Sequence, residues 1–337
     1  MKTFGKVLAG ICAVLFVISA VAAITFFNIE QKAFTSETYK TAFKEQGLYE
    51  NAPAIFADIL MTSATEQGQM SVLLSVLNRD ELELVISSLL PPEQLEALIG
   101  ETFDSFFAYI NRDADSVTVN LLPIKRNLVG QGGVRAFTQV MLAQPDCTLE
   151  QALSILSGGF SLENGLCNPP QEVLAAITPL IETQLQLMTL NFPDKLTLAG
   201  GRQAGLSDFR TQLGRVRAIM QLTPAIPLVL LLVITIFAVR SLSEWLRWWG
   251  WPLIITGVLS ALLAFIGTPI VRLFMETVIL RGNADMPPVF LDMMRGVLGS
   301  LTRLILRPIA FEGIILALIG IGMVVAAYFL SRKQSLI

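Results

Sequence analysis

The residue types that carry most enzyme chemistry are sparse in this chain. Histidine is absent from all 337 residues, which excludes imidazole bases, histidine-ligated metals and Ser-His-Asp triads. Only three cysteines occur, and Cys12 lies within a long apolar run. Cys147 and Cys167 are therefore predicted to form a disulfide, with turns at 157–159 and 164–165 letting the ends meet. The sequence predicts no catalytic residue and no cofactor.

Two short polar motifs resemble ligand-binding loops without completing them. Residues 111–116 open like a calcium loop, but the sixth position lacks glycine, and Leu122 replaces the terminal glutamate. A polar turn between a helix and a strand is the better interpretation. Residues 130–133, Gly-Gln-Gly-Gly, lack the Lys-Ser/Thr of a phosphate loop and predict a helix stop followed by a turn. We expect no metal site.

Four apolar runs account for a composition that is 53% hydrophobic and only 15% charged. They cover about 7–27, 224–239, 251–271 and 309–330, and they predict membrane-spanning helices. Ala20-Val21-Ala22 resembles a signal-peptidase site. The first run continues past it to Phe27, which favours a retained anchor over a cleaved signal peptide.

All four tryptophans lie between the second and third runs, where they predict a loop that anchors to the membrane surface. They are Trp245, Trp248, Trp249 and Trp251. The short segments on this side are basic, which predicts that both termini are cytoplasmic. Their basic residues are Lys2, Lys6, Arg240, Arg247, Arg332 and Lys333. A disulfide on the opposite side agrees with this topology.

The expected fold class is a mainly α membrane protein with four transmembrane helices and a mostly helical extracytoplasmic domain. Residues 1–27 form the first span, 28–222 the outer domain, and 223–337 three spans with an amphipathic outer loop at 273–308. Helix caps are predicted at Asn78 or Asp80, at Pro91-Pro92, at Thr148 and at Pro169-Pro170. Residues 116–121 and 195–198 alternate like strands and predict a small two-stranded β ribbon.

The charge of the outer domain excludes one class of partner. Residues 28–222 hold 22 acidic and 13 basic residues, a balance of −9. Nucleic-acid binding requires the opposite sign, so the charge indicates a soluble acidic surface. The last part of this domain predicts a helical stalk into the bilayer, with arginines that reach lipid phosphates, namely Arg210, Arg215 and Arg217.

The outer loop contains an amphipathic helix at about 291–306, with an apolar face opposite Arg295 and Arg303. This helix is predicted to lie on the outer leaflet or to pack beneath the acidic domain, and the sequence leaves both arrangements open. Either way, burial of its leucines should outweigh the attraction of its charges. Arg295, Arg303 and Arg307 form the predicted contact surface.

Small residues repeat at a spacing of four in the spans, as in Gly257 with Ala261, Gly313 with Ala317, and Gly322 with Ala326. Such pairs let helices approach closely, and packing within one four-helix bundle explains them. The spans carry no charged residue at mid-depth, which disfavours an ion-coupled transporter. A passive pore formed by several copies needs only hydroxyl side chains such as Thr256 and Ser260.

Several segments resemble a group of bacterial four-span membrane proteins that has no assigned activity. They are Thr38-Tyr39, Leu48-Tyr49, Leu90-Pro91-Pro92-Glu93-Gln94-Leu95, Val119-Asn120-Leu121-Leu122-Pro123-Ile124-Lys125, Pro145-Asp146-Cys147-Thr148 and Cys167-Asn168-Pro169-Pro170. The resemblance covers the outer domain and implies a bacterial inner-membrane setting. It implies no activity.

The sequence favours a non-enzymatic, multi-pass membrane protein whose outer domain binds a protein, a lipid or another envelope component. A large ordered domain without a catalytic constellation motivates this hypothesis. The alternative is a homo-oligomeric pore or transporter component, motivated by closely packing spans. A membrane hydrolase that uses carboxylates is a third hypothesis. The lipid bilayer is the one partner expected in every case, and no nucleic acid is expected.

Overall fold

A computed structural model describes residues 2–67, 77–156, 167–200, 204–274 and 288–334, together with Thr277. The protein is mainly helical, with a two-stranded antiparallel sheet and four helical segments long and apolar enough to cross a membrane, at Val7–Ala33, Arg210–Ala238, Leu242–Phe274 and Pro288–Arg332. This architecture confirms the predicted fold class. The helices are α1 (Lys2–Ala33), α2 (Ser36–Glu45), α3 (Leu48–Gln67), α4 (Arg79–Leu89), α5 (Pro92–Asn111), α6 (Leu122–Val129), α7 (Gln131–Leu142), α8 (Leu149–Leu156), α9 (Gln171–Thr189), α10 (Ala204–Leu222), α11 (Ala225–Ala238), α12 (Leu242–Phe274) and α13 (Pro288–Gln334). The strands are β1 (Ser116–Asn120) and β2 (Lys195–Gly200).

The chain divides into two compact units. The first unit comprises Met1–Ala42, Ala204–Ala284 and Arg295–Ile337, and it holds the four apolar helices. The second unit comprises Phe43–Gln203 and Asp285–Met294, and it holds both strands.

The core of the first unit forms where α1 packs against α11. Buried residues of the two helices form one apolar cluster, with Ala9, Cys12, Phe16 and Ala20 on α1 and Leu231, Ile234 and Ala238 on α11. Ala9 and Ile234 are both fully buried in this contact, and Phe16 is 3% exposed. The outward faces of these helices remain apolar and exposed, as shown by Leu228 at 66% and Ile18 at 64%. Hydrocarbon, in contrast to water, makes such exposure favourable.

The second unit is built from short helices whose ends the sequence specifies. Asn78 caps α4, because its side chain accepts from the Glu81 N–H while Glu81 accepts from the Asn78 N–H, each at 2.9 Å. Pro92 begins α5, where its missing N–H costs no hydrogen bond. Thr148 and Gln151 form a second reciprocal cap before α8. These features agree with the predicted helix starts, Asn78 rather than Asp80 being the cap.

The two strands pair antiparallel, as predicted, and Thr118 lies opposite Thr197. Arg112 ends α5 in the left-handed conformation at φ 69°, so the 111–116 motif is a helix-to-strand turn. Gly130 ends α6, as predicted, but residues 131–133 begin α7, so the turn predicted after the helix stop was wrong. Gly133 lies inside α7, where an added Cβ would collide with the Leu128 carbonyl oxygen.

The Cys147–Cys167 disulfide is present, with the two Cα atoms 4.8 Å apart. A short backbone bridge holds its ends together: the Cys147 N–H donates to the Asn168 carbonyl at 3.0 Å, and the Asn168 N–H donates to that of Pro145 at 2.8 Å. Both cysteines pack in a core with Met141, Ile177 and Ile181. The predicted turns at 157–159 and 164–165 lie outside the described residues.

We expect Cys147→Ser with Cys167→Ser to lose about 3 kcal/mol of unfolding free energy, because the bond closes a loop of 20 residues. Thermal unfolding in detergent, with and without reductant, measures the effect. Reductant should lower the wild-type midpoint to that of the double variant and leave the double variant unchanged. A wild-type midpoint insensitive to reductant would contradict the expectation.

Two sequence-based expectations about the apolar helices need correction. The amphipathic segment at 291–306 and the fourth span are one continuous helix, α13, with Pro308 inside it. The proline removes one helical hydrogen bond, and a membrane-spanning helix tolerates that loss. The four tryptophans lie within α12 rather than in a loop. The connection from α11 to α12 comprises only residues 239–241.

Candidate functional site

A buried ion pair joins α1 to α10 in the first unit. The Arg217 Nε lies 2.5 Å from Glu30 Oε1, and the Glu30 side chain is only 6% exposed. The Gln221 amide donates to the same carboxylate oxygen at 2.9 Å. The Arg217 guanidinium also lies 5.5 Å from the centre of the Phe34 ring, at cation–π distance. Glu30 is therefore held by donors from one helix and is not left as an isolated buried charge.

A second polar contact joins α1 to α13. The Asn28 amide donates to Glu312 Oε2 at 2.9 Å and also to the Ile24 carbonyl of its own helix at 2.9 Å. Asn28 is only 3% exposed. Glu312, near the start of the fourth apolar run, therefore has a protein donor. We call these five residues the polar cluster: Asn28, Glu30, Arg217, Gln221 and Glu312.

In the polar cluster, Glu30 Oε1 and Glu312 Oε2 each accept a hydrogen bond from the side chain of another helix. These contacts connect residues 187 and 284 positions apart, so they fix α10 and α13 against α1. Among the described residues, no three acidic or cysteine side chains are grouped as metal ligands. Sequence reasoning missed the cluster. Its signal was the position of Asn28, Glu30 and Glu312 at span ends that the predicted topology places on one side.

Two glycine-bearing faces meet where α12 packs on α13. A Cβ added at Gly257 would collide with the Gly313 carbonyl oxygen and would lie 2.9 Å from the Ala317 Cα. A Cβ at Gly320 would lie 2.7 Å from the Gly250 carbonyl oxygen. The predicted pairs at Gly257 and Gly313 therefore make this contact. Gly322 does not, since nothing lies within 4 Å of an added Cβ there.

The hydroxyls considered for a pore wall, Thr256 and Ser260, are both completely buried in the protomer. A Cβ added at Gly313 would lie 3.2 Å from the Ser260 Cβ, which places Ser260 in the contact between α12 and α13. Neither hydroxyl is therefore exposed on a surface that another copy could face.

The tryptophans of α12 divide into two kinds. The Trp249 Nε1 donates to the Thr235 hydroxyl of α11 at 3.0 Å, and its ring lies 5.0 Å from that of Trp245. Trp249 thus points into the bundle. Trp251 is 55% exposed. An anchoring role at the membrane surface stays a prediction for Trp245, Trp248 and Trp251, whereas Trp249 has an internal partner.

The predicted contact surface lies on the exposed side of α13. Arg295, Arg303 and Arg307 are all exposed, while Val297 is 4% exposed and Ser300 is fully buried. Met293 packs in the second unit against a core of Leu48, Tyr49, Ala52 and Leu95. The start of α13 is therefore amphipathic, as expected. Contact of these three arginines with lipid or with protein stays a prediction.

We expect Val297→Asp to lower the folded yield in detergent far more than Arg295→Gln and Arg303→Gln combined. Burying a carboxylate without a partner is costly, whereas exposed charges contribute at most about 1 kcal/mol. Size-exclusion profiles of the three preparations measure the folded yield. A greater loss from the paired arginine substitutions would mean that charge pairing holds this helix.

Exposed apolar side chains occur close together in sequence, along the second half of α9, the connection to β2 and β2 itself. Leu187 is 54% exposed, Leu190 72% and Phe192 56%. On β2, Leu196 and Leu198 are 44% and 53% exposed. A β-bulge lies here, because Val117 pairs with Ala199 and Thr118 with Thr197, so Leu198 has no partner residue on β1. We call this set the apolar strip: Leu180, Leu187, Leu190, Phe192, Leu196 and Leu198.

The ribbon edge beside the apolar strip is open. β1 is covered by α5, whose Ser105 hydroxyl accepts from the Thr118 N–H at 2.8 Å. Within the described part of the chain, no third strand pairs with β2. The N–H and C=O groups on the outer edge of β2 can therefore pair with another extended chain.

Two pKa shifts in the second unit involve Glu96 as a neighbour, those of Tyr49 and Lys44. Burial raises the pKa of the Tyr49 phenol, with smaller contributions from Glu96 and Glu50. A 2.8 Å hydrogen bond to Glu96 raises the pKa of the Lys44 ammonium. Both shifts favour the protonated forms, which already dominate at neutral pH. Neither group is therefore tuned to exchange a proton at neutral pH.

Comparison with protein-family models, with curated protein sequences and with solved structures gave no match.

Proposed function

We propose that this is a multi-pass membrane protein whose second unit lies outside the cytoplasm and acts by binding a protein partner. The observation that carries the proposal is the apolar strip beside the open edge of β2. Exposed apolar patches mark interaction sites, and an open strand edge accepts a further strand. A protein supplies the backbone donors and acceptors that this edge needs, whereas a lipid chain supplies none.

Three features support the membrane topology. The four apolar helices fit a multi-pass protein. The disulfide is typical of an oxidising compartment outside the cytoplasm. The basic residues of the short segments favour cytoplasmic N- and C-termini. An inner membrane of a bacterium is the setting that the sequence resemblance implies.

Cysteine labelling tests the topology, because the native cysteines should not react: Cys12 is buried, and the other two form the disulfide. New cysteines are introduced at Arg240 and Gln186, which are both exposed. In intact cells, a membrane-impermeant maleimide should label Gln186→Cys and spare Arg240→Cys. After permeabilisation both should react. The reverse pattern in intact cells would invert the proposed orientation.

A photoreactive phenylalanine derivative at Leu198, in the full-length protein in its own membrane, tests partner binding. We expect one discrete protein adduct, which Leu196→Asp abolishes because a carboxylate cannot enter an apolar contact. The matched control is the same probe at Leu84, which is 52% exposed on α4 of the same unit. Equal adducts at both positions, or adducts with lipid alone, would contradict the proposal.

An adduct formed only with a second copy of the chain would favour the alternative, a homo-oligomeric pore or transporter component. The complete burial of Thr256 and Ser260 favours the binding protein over a pore lined by those hydroxyls.

A further inference from the structure

A groove of about 460 Å³ opens between α1 and α12 in the first unit. One wall comes from α1 and the other from the first four turns of α12. The lining residues on α1 are Ala13, Val14, Val17 and Ile18; those on α12 are Arg247, Trp248, Trp251, Pro252 and Ile255. Arg247 is the one charged residue in this lining.

The apolar walls fit a hydrocarbon chain. Val14 and Ile18 are 61% and 64% exposed, and Ile255 is 45% exposed across the groove. In water this surface would be unfavourable over its whole length. Between two helices that are long and apolar enough to cross a membrane, an acyl chain covers it.

The polar end of the groove is defined by Arg247, which lies in the second turn of α12 and is exposed. Its guanidinium can form two parallel hydrogen bonds with a phosphate. Trp248 and Trp251 flank it, and tryptophan favours the headgroup level of a bilayer. The groove therefore changes from a phosphate-binding end to an apolar end, as an amphipathic ligand requires.

The charge of the site favours an anionic headgroup over a zwitterionic one. The nearest acidic residue along α12, Glu244, does not line the groove, and it accepts from the Arg240 backbone N–H at 3.1 Å. The described residues of the lining include no carboxylate that could pair with the choline of a zwitterionic lipid. A headgroup with a net negative charge neutralises the positive charge of the Arg247 guanidinium.

We propose that the groove between α1 and α12 binds an anionic glycerophospholipid, with an acyl chain between the two helices and the phosphate on Arg247. This site lies in the first unit, and it is independent of any partner of the second unit.

Brominated lipids test the proposal directly, because bromine quenches tryptophan fluorescence on contact and all four tryptophans lie in α12. Full-length protein is reconstituted in phosphatidylcholine that contains the same minor fraction of either brominated phosphatidylglycerol or brominated phosphatidylcholine. We expect the anionic lipid to bind about five-fold more tightly, the factor that corresponds to roughly 1 kcal/mol for one arginine near an anionic surface.

Three variants assign the preference to the groove. Arg247→Gln should make the two brominated lipids equivalent. Arg240→Gln removes an exposed arginine outside the groove and should keep the preference. Val14→Phe, at a position exposed enough to accept a ring, should fill the groove and reduce quenching by both lipids. Equal quenching of the wild type by both lipids would overturn the proposal. So would a preference that survives Arg247→Gln, or quenching unchanged by Val14→Phe.

Discussion

A leucine in place of Gly257 is expected to prevent α12 from packing on α13 and to remove most of the folded protein. Even a Cβ at this position would collide with the Gly313 carbonyl oxygen and the Ala317 backbone nitrogen, and backbone atoms cannot rotate away. Overpacking a tight contact costs about 1–3 kcal/mol, and more where backbone must move. We therefore expect a loss of more than about 3 kcal/mol. Thermal stability and monodispersity in detergent measure it.

Gly322 on α13 supplies the matched control, because nothing lies within 4 Å of a Cβ added there. Gly322→Ala should be neutral or stabilising, since alanine is favoured over glycine in a helix by up to about 1 kcal/mol. Gly257→Ala should destabilise despite the same gain in helix propensity. A shift of the melting temperature in the same direction for both alanine variants would contradict the close packing of α12 on α13.

Replacing Arg217 with leucine is expected to destabilise the first unit by about 3–5 kcal/mol, because it leaves the Glu30 carboxylate buried without its cation. Unfolding in detergent with increasing denaturant measures the loss. Adding Glu30→Leu should restore much of the stability, because a pair of apolar residues can replace a buried ion pair at little cost.

Arg215→Leu is the matched control, since Arg215 lies two residues earlier on the same helix and is exposed. It should change stability by less than about 1 kcal/mol. Equal effects of the two arginine substitutions would mean that general charge near the helix, and not the ion pair with Glu30, stabilises the unit.

Local features of the fold were predictable because the responsible interactions are local. The Asn78 cap, the start of α5 at Pro92 and the cap at Thr148 each depend on residues within one turn. The ribbon was predictable from two segments with strand-like alternation. The disulfide followed from there being only two cysteines outside the apolar runs.

The polar cluster was not predictable, because it depends on which spans are neighbours. Composition places Glu30 and Arg217 near span ends but does not show that α1 meets α10 there. The amphipathic helix at 291–306 and the fourth span at 309–330 were predicted as separate elements, whereas α13 continues through Pro308 between them. A proline usually interrupts a helix in a soluble protein. The tryptophans were wrongly placed in a loop, since their preference for an interface gives no information about helix or loop.

The ribbon and the disulfide also set an order of events during synthesis. Cys167 is made roughly 30 residues before β2, a delay on the order of a few seconds at ordinary translation rates. On the proposed topology, the exported cysteines can be oxidised before β2, the partner strand of β1, has been synthesised. The covalent loop then reduces the chain entropy that remains to be lost when the ribbon forms. Without that bond, β1 would remain unpaired for the same few seconds in a less constrained chain. During that interval aggregation competes most directly with folding.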